Sequence, residues 1–184
     1  MVDAQTVGVL VTAASVTVAA FYYIYNLRVS NRMSRITFTN SILQSRIIKE
    51  EMKVYVELLN DSWDSYQDYL KKYGEGNSEG WARSRAWFYF YDTLGYLLMD
   101  KVVDNRTLYT GGGGGIAVIR LWTKFSPIFR EMRATGSEDY MKGFEYLFYE
   151  IARMRDRLDP SFERNNPASY SLYKSGEYEA PFSK

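Results

Sequence analysis

The first long feature of the hydrophobic pattern carries no formal charge: "VGVLVTAASVTVAAFYYIYNL", from Val7 to Leu27. A helix of this length covers roughly 30 Å at about 1.5 Å per residue, close to the hydrocarbon thickness of a bilayer. Threonine and serine dilute its apolar character, but a helix satisfies the backbone polar groups internally. Phe21, Tyr22, Tyr23 and Tyr25 gather at one end, where aromatic side chains meet lipid headgroups. Residues 1–28 are therefore predicted to form a transmembrane helix. A cleaved signal peptide would open on a basic segment, and "MVDAQ" carries an acid instead.

After this stretch the apolar positions recur at helical spacing and strand-like alternation is absent before the tail. Leu43, Ile47, Tyr55, Leu58, Leu59, Trp63, Tyr66 and Leu70 predict one long helix from Ile36 to Tyr73, with a possible break at Thr37–Asn40. "KKYGEGNSEG" ends it. The next helix, about Gly80 to Val103, contains "AWFYFYDTLGYLLM" and is apolar almost all round, which marks it as the central buried element. Ile116 to Arg133 places Ile119, Trp122, Phe125, Phe129 and Met132 on one side, with Pro127 expected to kink or break it. Gly136 and Ser137 read as a stop and a cap, with Glu138 and Asp139 in a first helical turn. Tyr140, Phe144, Leu147, Ile151, Met154 and Leu158 then follow a 4-3-4-3-4 stripe. The expected fold is all-α: the span 1–28, a helical stalk and small bundle over 29–158, and an irregular tail over 159–184 whose Phe162, Tyr170, Tyr173, Tyr178 and Phe182 can anchor it to the bundle.

Charge adds an orientation. Arg28, Arg32, Arg35, Arg46 and Lys49 follow the apolar stretch with no acid among them. Basic residues stay on the cytoplasmic side, so the N-terminus is expected outside and the C-terminal domain in the cytoplasm, as a single-pass protein of the cell membrane. Arg28, Arg32 and Arg35 form a collar at the height of anionic lipid headgroups. Within the span, Gly8, Thr12, Ser15 and Ala19 are spaced 4, 3 and 4 and share one helix face, a pattern that lets two membrane helices approach closely.

Composition narrows the chemistry. The 184 residues contain no cysteine and no histidine, so thiolate or imidazole metal sites, Ser-His-Asp and Cys-His catalysis are excluded. A net charge of +1 argues against nucleic acid as a partner. No catalytic residue, metal ligand or cofactor site is predicted. The aromatic share of 17% is that of a core, and also that of a partner surface.

Five consecutive glycines, Gly111 to Gly115, precede the helix at Ile116. The P-loop pattern fails here, because Ile116 and Ala117 follow and the nearest lysine is Lys124. A flexible connector is the plain reading. The chemical alternative is an anion held by Gly113, Gly114 and Gly115 at the helix start with help from Arg120. Asp92, set in the aromatic helix, reads either as a perturbed acid or cation ligand, or as a structural group paired with Arg120, Arg130 or tyrosine hydroxyls. Glu145 and Glu150 are five apart and face different ways, which weakens a paired-carboxylate scheme.

The order of "LRVSNR" after the span, "YDTLGYLL", "IRLWTKFSPIFREMR" and "FEYLFYE" resembles a family of small archaeal and bacterial membrane proteins with one span and a helical domain of unknown function. The likeness runs over most of Val7 to Leu158. It implies a membrane-anchored all-α protein and transfers no catalytic residue. The glycine run is not part of that pattern.

These readings converge on a membrane-anchored interaction or scaffold protein, self-assembling or an accessory subunit of a membrane complex, with membrane lipid around its span. The alternative is a membrane-tethered sensor or enzyme that binds an anionic ligand (phosphate, nucleotide or lipid headgroup) at the helix start over 111–120.

Overall fold

The computed structural model describes residues 3–45, 49–111 and 115–176. Among these residues the chain forms nine helices and no strand: α1 (Ala4–Gln44), α2 (Lys49–Asn60), α3 (Tyr66–Tyr73), α4 (Ser78–Met99), α5 (Asn105–Gly111), α6 (Ile116–Thr135), α7 (Lys142–Leu158), α8 (Phe162–Asn165) and α9 (Pro167–Lys174). The all-α expectation holds. One helix among the described residues, α1, is long and apolar enough to cross a membrane.

Helix α1 runs unbroken for 41 residues, roughly 60 Å at 1.5 Å per residue. Every residue from Gly8 to Arg35 is exposed to the surroundings of the single chain. Only its last turns enter the domain, where Thr39 is fully buried. The expected break at Thr37–Asn40 is absent, because the Thr39 hydroxyl donates to the Arg35 carbonyl at 2.7 Å and accepts the Asp104 N–H at 3.2 Å. That residue is a docking point rather than a hinge. The helix ends instead at Gln44, where the Ser45 hydroxyl turns back to the Ile42 carbonyl at 2.6 Å.

The predicted helix to Tyr73 is divided again after Asn60. Asp61 accepts the Ser62 N–H at 2.9 Å, and Ser65 caps α3 by accepting the Asp68 N–H at 3.1 Å. Short polar side chains that bond the backbone locally compete with helix continuation. The break is also held from outside. Lys124, on α6, donates from Nζ to the carbonyls of Leu59 (2.7 Å) and Asp61, so a cation closes the C-terminal end of α2. Burial beside the Trp63 ring lowers the Lys124 ammonium from its ordinary value.

The center is α4, packed most closely on α7 and supported by α2 and α3. Trp87, Phe88, Tyr91, Leu94 and Leu98 are buried, as the all-round apolar pattern predicts. Phe88 meets Phe125 at 4.7 Å and Phe129 at 5.0 Å between ring centroids, while Tyr91 and Trp122 each lie 5.1 Å from Phe144. Such offset and edge contacts contribute about 0.5–1.5 kcal/mol per pair beyond burial. The α4–α7 crossing depends on two glycines. A Cβ on Gly95 would collide with the Gly143 carbonyl, and one on Gly143 with the Asp92 carbonyl.

Two other expectations change in detail. Pro127 sits inside an unbroken α6, with its ring on the exposed side where the lost backbone bond faces solvent. Helix α7 starts at Lys142, later than read from the acidic pair, since Met141 takes a left-handed conformation (φ 58°). Glu138 and Asp139 lie in the preceding turn, closed by Tyr140 N–H to Ser137 O at 3.1 Å.

The tail, expected to be irregular, folds into α8 and α9 and docks. Phe162 is buried, Tyr170 packs edge-on to it at 5.6 Å, and Tyr173 contacts Tyr149. Ser169 meets Thr123 hydroxyl to hydroxyl at 2.9 Å, and Lys174 pairs with Asp156 at 2.7 Å. Tyr178 and Phe182 lie outside the described residues.

Candidate functional site

Gly8, Thr12, Ser15 and Ala19 all lie on one continuous helix, α1. The Thr12 hydroxyl donates to the Gly8 carbonyl at 2.9 Å and the Ser15 hydroxyl to the Val11 carbonyl at 2.8 Å. The hydroxyls of this face are thus satisfied within the helix, as an apolar surrounding requires. A Cβ on Gly8 would meet nothing within 4 Å, and Ser15 and Ala19 are exposed, so none of the described residues covers the face.

The basic collar divides. Arg28 is exposed on the apolar helix, toward its free end. Arg35 leans on the domain. It reaches the Lys101 carbonyl at 3.3 Å, and the guanidinium groups of Arg32 and Arg35 both act on Asp104. Burial alone would raise the Asp104 carboxyl. The Thr107 hydroxyl and N–H, each at 2.8 Å, outweigh it together with the two arginines and hold the group below the usual range. Asp104 is therefore the N-cap of α5 and the counter-charge of the collar at once.

Asp92 pairs with neither Arg120 nor Arg130, contrary to expectation. Its Oδ1 accepts the Phe144 N–H at 3.0 Å, across the α4–α7 crossing. The N-cap of α7, Met141, has no side-chain oxygen to offer, and Asp92 supplies one from another helix. Burial raises the Asp92 carboxyl, with the backbone N–H groups of Phe144 and Gly143 and the charge of Arg133 pulling the other way. Glu145 and Glu150 stand in separate ion pairs, with Arg133 (2.8 Å) and Arg153 (2.7 Å). Among the described residues no group of three or more His, Cys, Asp or Glu is gathered to hold a metal.

The glycine run ends at a built position. Gly115 is buried at the head of α6 with φ +67°, and a Cβ there would collide with Ile151 on α7. Glycine is required at 115 for both reasons. Gly113 and Gly114 lie outside the described residues. Gly111, Gly115, Ile116 and Ala117 line an apolar cavity of about 340 Å³. Its other walls are Leu43 from α1, Met52 and Tyr55 from α2, an aromatic patch of α4 that includes Trp87 and Tyr91, Leu108 from α5, and Ile151 from α7.

Arg120 stands beside this cavity. It follows Ile116 by four positions and Ala117 by three, one turn beyond these lining residues, and is itself exposed. Its positive charge acts on the Tyr55 phenol. Burial raises the Tyr55 phenol, and Arg120 opposes that shift by charge and hydrogen bond. Sequence reasoning marked Arg120 and Gly115 but not the cavity between them, whose walls come from six separate helices.

Another cation, Arg85, is buried and pairs with no carboxylate among the described residues. Arg85 is 8% exposed and faces the rings of Trp81, Phe88 and Tyr140 at 5.5–6.0 Å. Ring faces stabilise a desolvated guanidinium. Tyr69 lies within its field, and burial pushes that phenol up to about 12. No sequence spacing links Tyr69, Arg85 and Tyr140.

No protein-family model, curated protein or solved structure matches the chain.

Proposed function

We propose that this is a membrane-anchored helical interaction protein. Helix α1 crosses the membrane once, the N-terminus lies outside, and the helical domain stands in the cytoplasm. The protein assembles with itself, or joins a larger membrane complex, through the Gly8, Thr12, Ser15 and Ala19 face.

The observation that carries this reading is the exposure of α1. Val9, Leu10, Val11, Val16, Val18, Phe21 and Ile24 are all exposed, on a helix whose far end is locked into a packed domain. Burying a side chain of this kind is worth roughly 1.5–3 kcal/mol, so such a row calls for lipid or another helix around it. The positive-inside rule orients it: the arginines follow the span on the domain side. Between Leu27 and Arg35, which already bonds the domain at the Lys101 carbonyl, the same helix rises roughly 12 Å, a short stalk beside the headgroups.

The test is the oligomeric state of the full chain in phospholipid nanodiscs and in mild detergent. The proposal expects an oligomer, or stoichiometric co-purification of a membrane partner. A monomer with no partner across a wide concentration range contradicts it.

A further inference from the structure

The geometry points to the cavity at the head of α6 as a binding site for a single-chain anionic amphiphile: the hydrocarbon chain lies in the cavity, and Arg120 with the Tyr55 hydroxyl receives the headgroup. This assignment goes beyond the anchoring role and does not depend on it, since the cavity is walled by the packed domain.

Three observations carry it. The first is size. At about 340 Å³ the cavity is more than twice a roughly 150 Å³ apolar cavity that stays dry and takes up benzene, and it falls in the range of small-molecule sites. The second is lining. Leu43, Trp87, Leu94, Leu108, Val118 and Ile151 present carbon to the interior and no charge. Water gains little there, and a hydrocarbon chain gains burial. The third is the rim. Tyr55, Ile116 and Ala117 are walls of the cavity, and the exposed Arg120 follows Ile116 by one helical turn, with its charge acting on the Tyr55 phenol. None of the ion pairs formed among the described residues engages Arg120. A carboxylate or a phosphate monoester would find there one guanidinium and one hydroxyl, both hydrogen-bond donors. A neutral chain would gain the cavity without the rim, and a cationic one would be repelled by it.

Tryptophan fluorescence tests this directly. Trp87 lines the cavity, and all four tryptophans (63, 81, 87 and 122) lie outside α1, so a quencher dissolved in a bilayer around the span is remote from them. The full chain in phospholipid nanodiscs is titrated with bromine-labelled dodecanoate. The expected result is saturable quenching, reversed by unlabelled dodecanoate. A parallel competition with dodecyl phosphate tells the two headgroup sources apart: reversal by the carboxylate alone assigns a fatty acid, and reversal by both assigns any single-chain anion. Arg120→Gln weakens binding of the anions by about tenfold, the loss of one charge-assisted contact, and leaves brominated dodecanol unchanged. Ala117→Phe fills the cavity and removes saturable quenching by every chain, with a thermal melt to check folding. Quenching that rises without saturation in the wild-type protein overturns the site, whether the chain fills its own cavity or a second copy does. Equal affinity for the alcohol and the carboxylate, with no effect of Arg120→Gln, overturns the anionic headgroup. The competition on wild-type protein decides the matter even where Ala117→Phe does not fold.

Discussion

The Asp92 carboxylate accepts the Phe144 N–H at 3.0 Å, so one helix caps the next across the central crossing of the domain. Burial raises this carboxyl above its ordinary range, so the folded state holds the proton more tightly than the unfolded chain. For an acid shifted upward, the stabilising contribution is present below the unfolded pKa and is lost as pH rises through the folded one.

Asp92→Asn keeps an oxygen for the Phe144 N–H and removes that titration. Relative to wild type it should gain in Tm between pH 4 and pH 7. Asp92→Ala should cost about 1–2 kcal/mol at all pH values, as loss of a cap does. Chemical denaturation across this pH range checks both. Equal losses for the two variants at pH 7 would mean that the ionised carboxylate itself is needed.

Asp104 should show the opposite sign. Burial works to raise its carboxyl, but Thr107, Arg32 and Arg35 hold it below the usual range. Its contribution is present above the unfolded pKa and is lost as pH falls through the folded one. Asp104→Asn retains the cap and loses the charge, so it should cost no more than about 1 kcal/mol at pH 7 in low salt. The difference from wild type should vanish in high salt and below pH 3. A salt-independent loss would show that the arginines of the collar do not act on this group.

The glycine run separates into positions that differ in kind. Gly115→Ala should destabilise by about 2 kcal/mol or more, from a left-handed backbone plus overpacking on Ile151. At Gly111 a Cβ would press on the Cδ1 end of Leu43, at 2.8 Å, which can move aside, and would make an ordinary contact with Asn40 Oδ1 at 3.8 Å. Gly111→Ala should lie within about 1 kcal/mol of wild type. Thermal melts of the two variants compare them. Equal effects would remove Gly115 from its structural role.

The long periodic stripes were legible in the sequence: α1, the core of α4, and the inner faces of α6 and α7. Each is set by local repetition, and burial of Ile119, Trp122, Phe125, Phe144 and Ile151 follows it. What was not legible depends on partners far away in the chain. The break after α2 is held by Lys124, and the start of α7 by Asp92, more than fifty positions upstream of Phe144. The cavity has no sequence signature, since six helices each contribute a few ordinary apolar residues. Within the tail expected to be irregular, Asn166 followed by Pro167 is a helix-start sign, a residue type common at the N-cap and a first-turn proline.

Because the chain has no cysteine, single cysteines report topology cleanly. In intact cells a membrane-impermeant maleimide should label Asp3→Cys, and should label Ser175→Cys only after lysis. Labelling in the reverse order would invert the proposed orientation.

The central claim is that α1 meets another membrane helix through its small-residue face. Photo-crosslinking in native membranes, with a diazirine side chain placed at Ser15 or at Thr17 on the opposite face, measures it most directly. The account predicts a discrete protein adduct, a homodimer or a defined heteromer, from position 15 and none from position 17. Lipid adducts alone from both positions, or the same protein adduct from both, would contradict it.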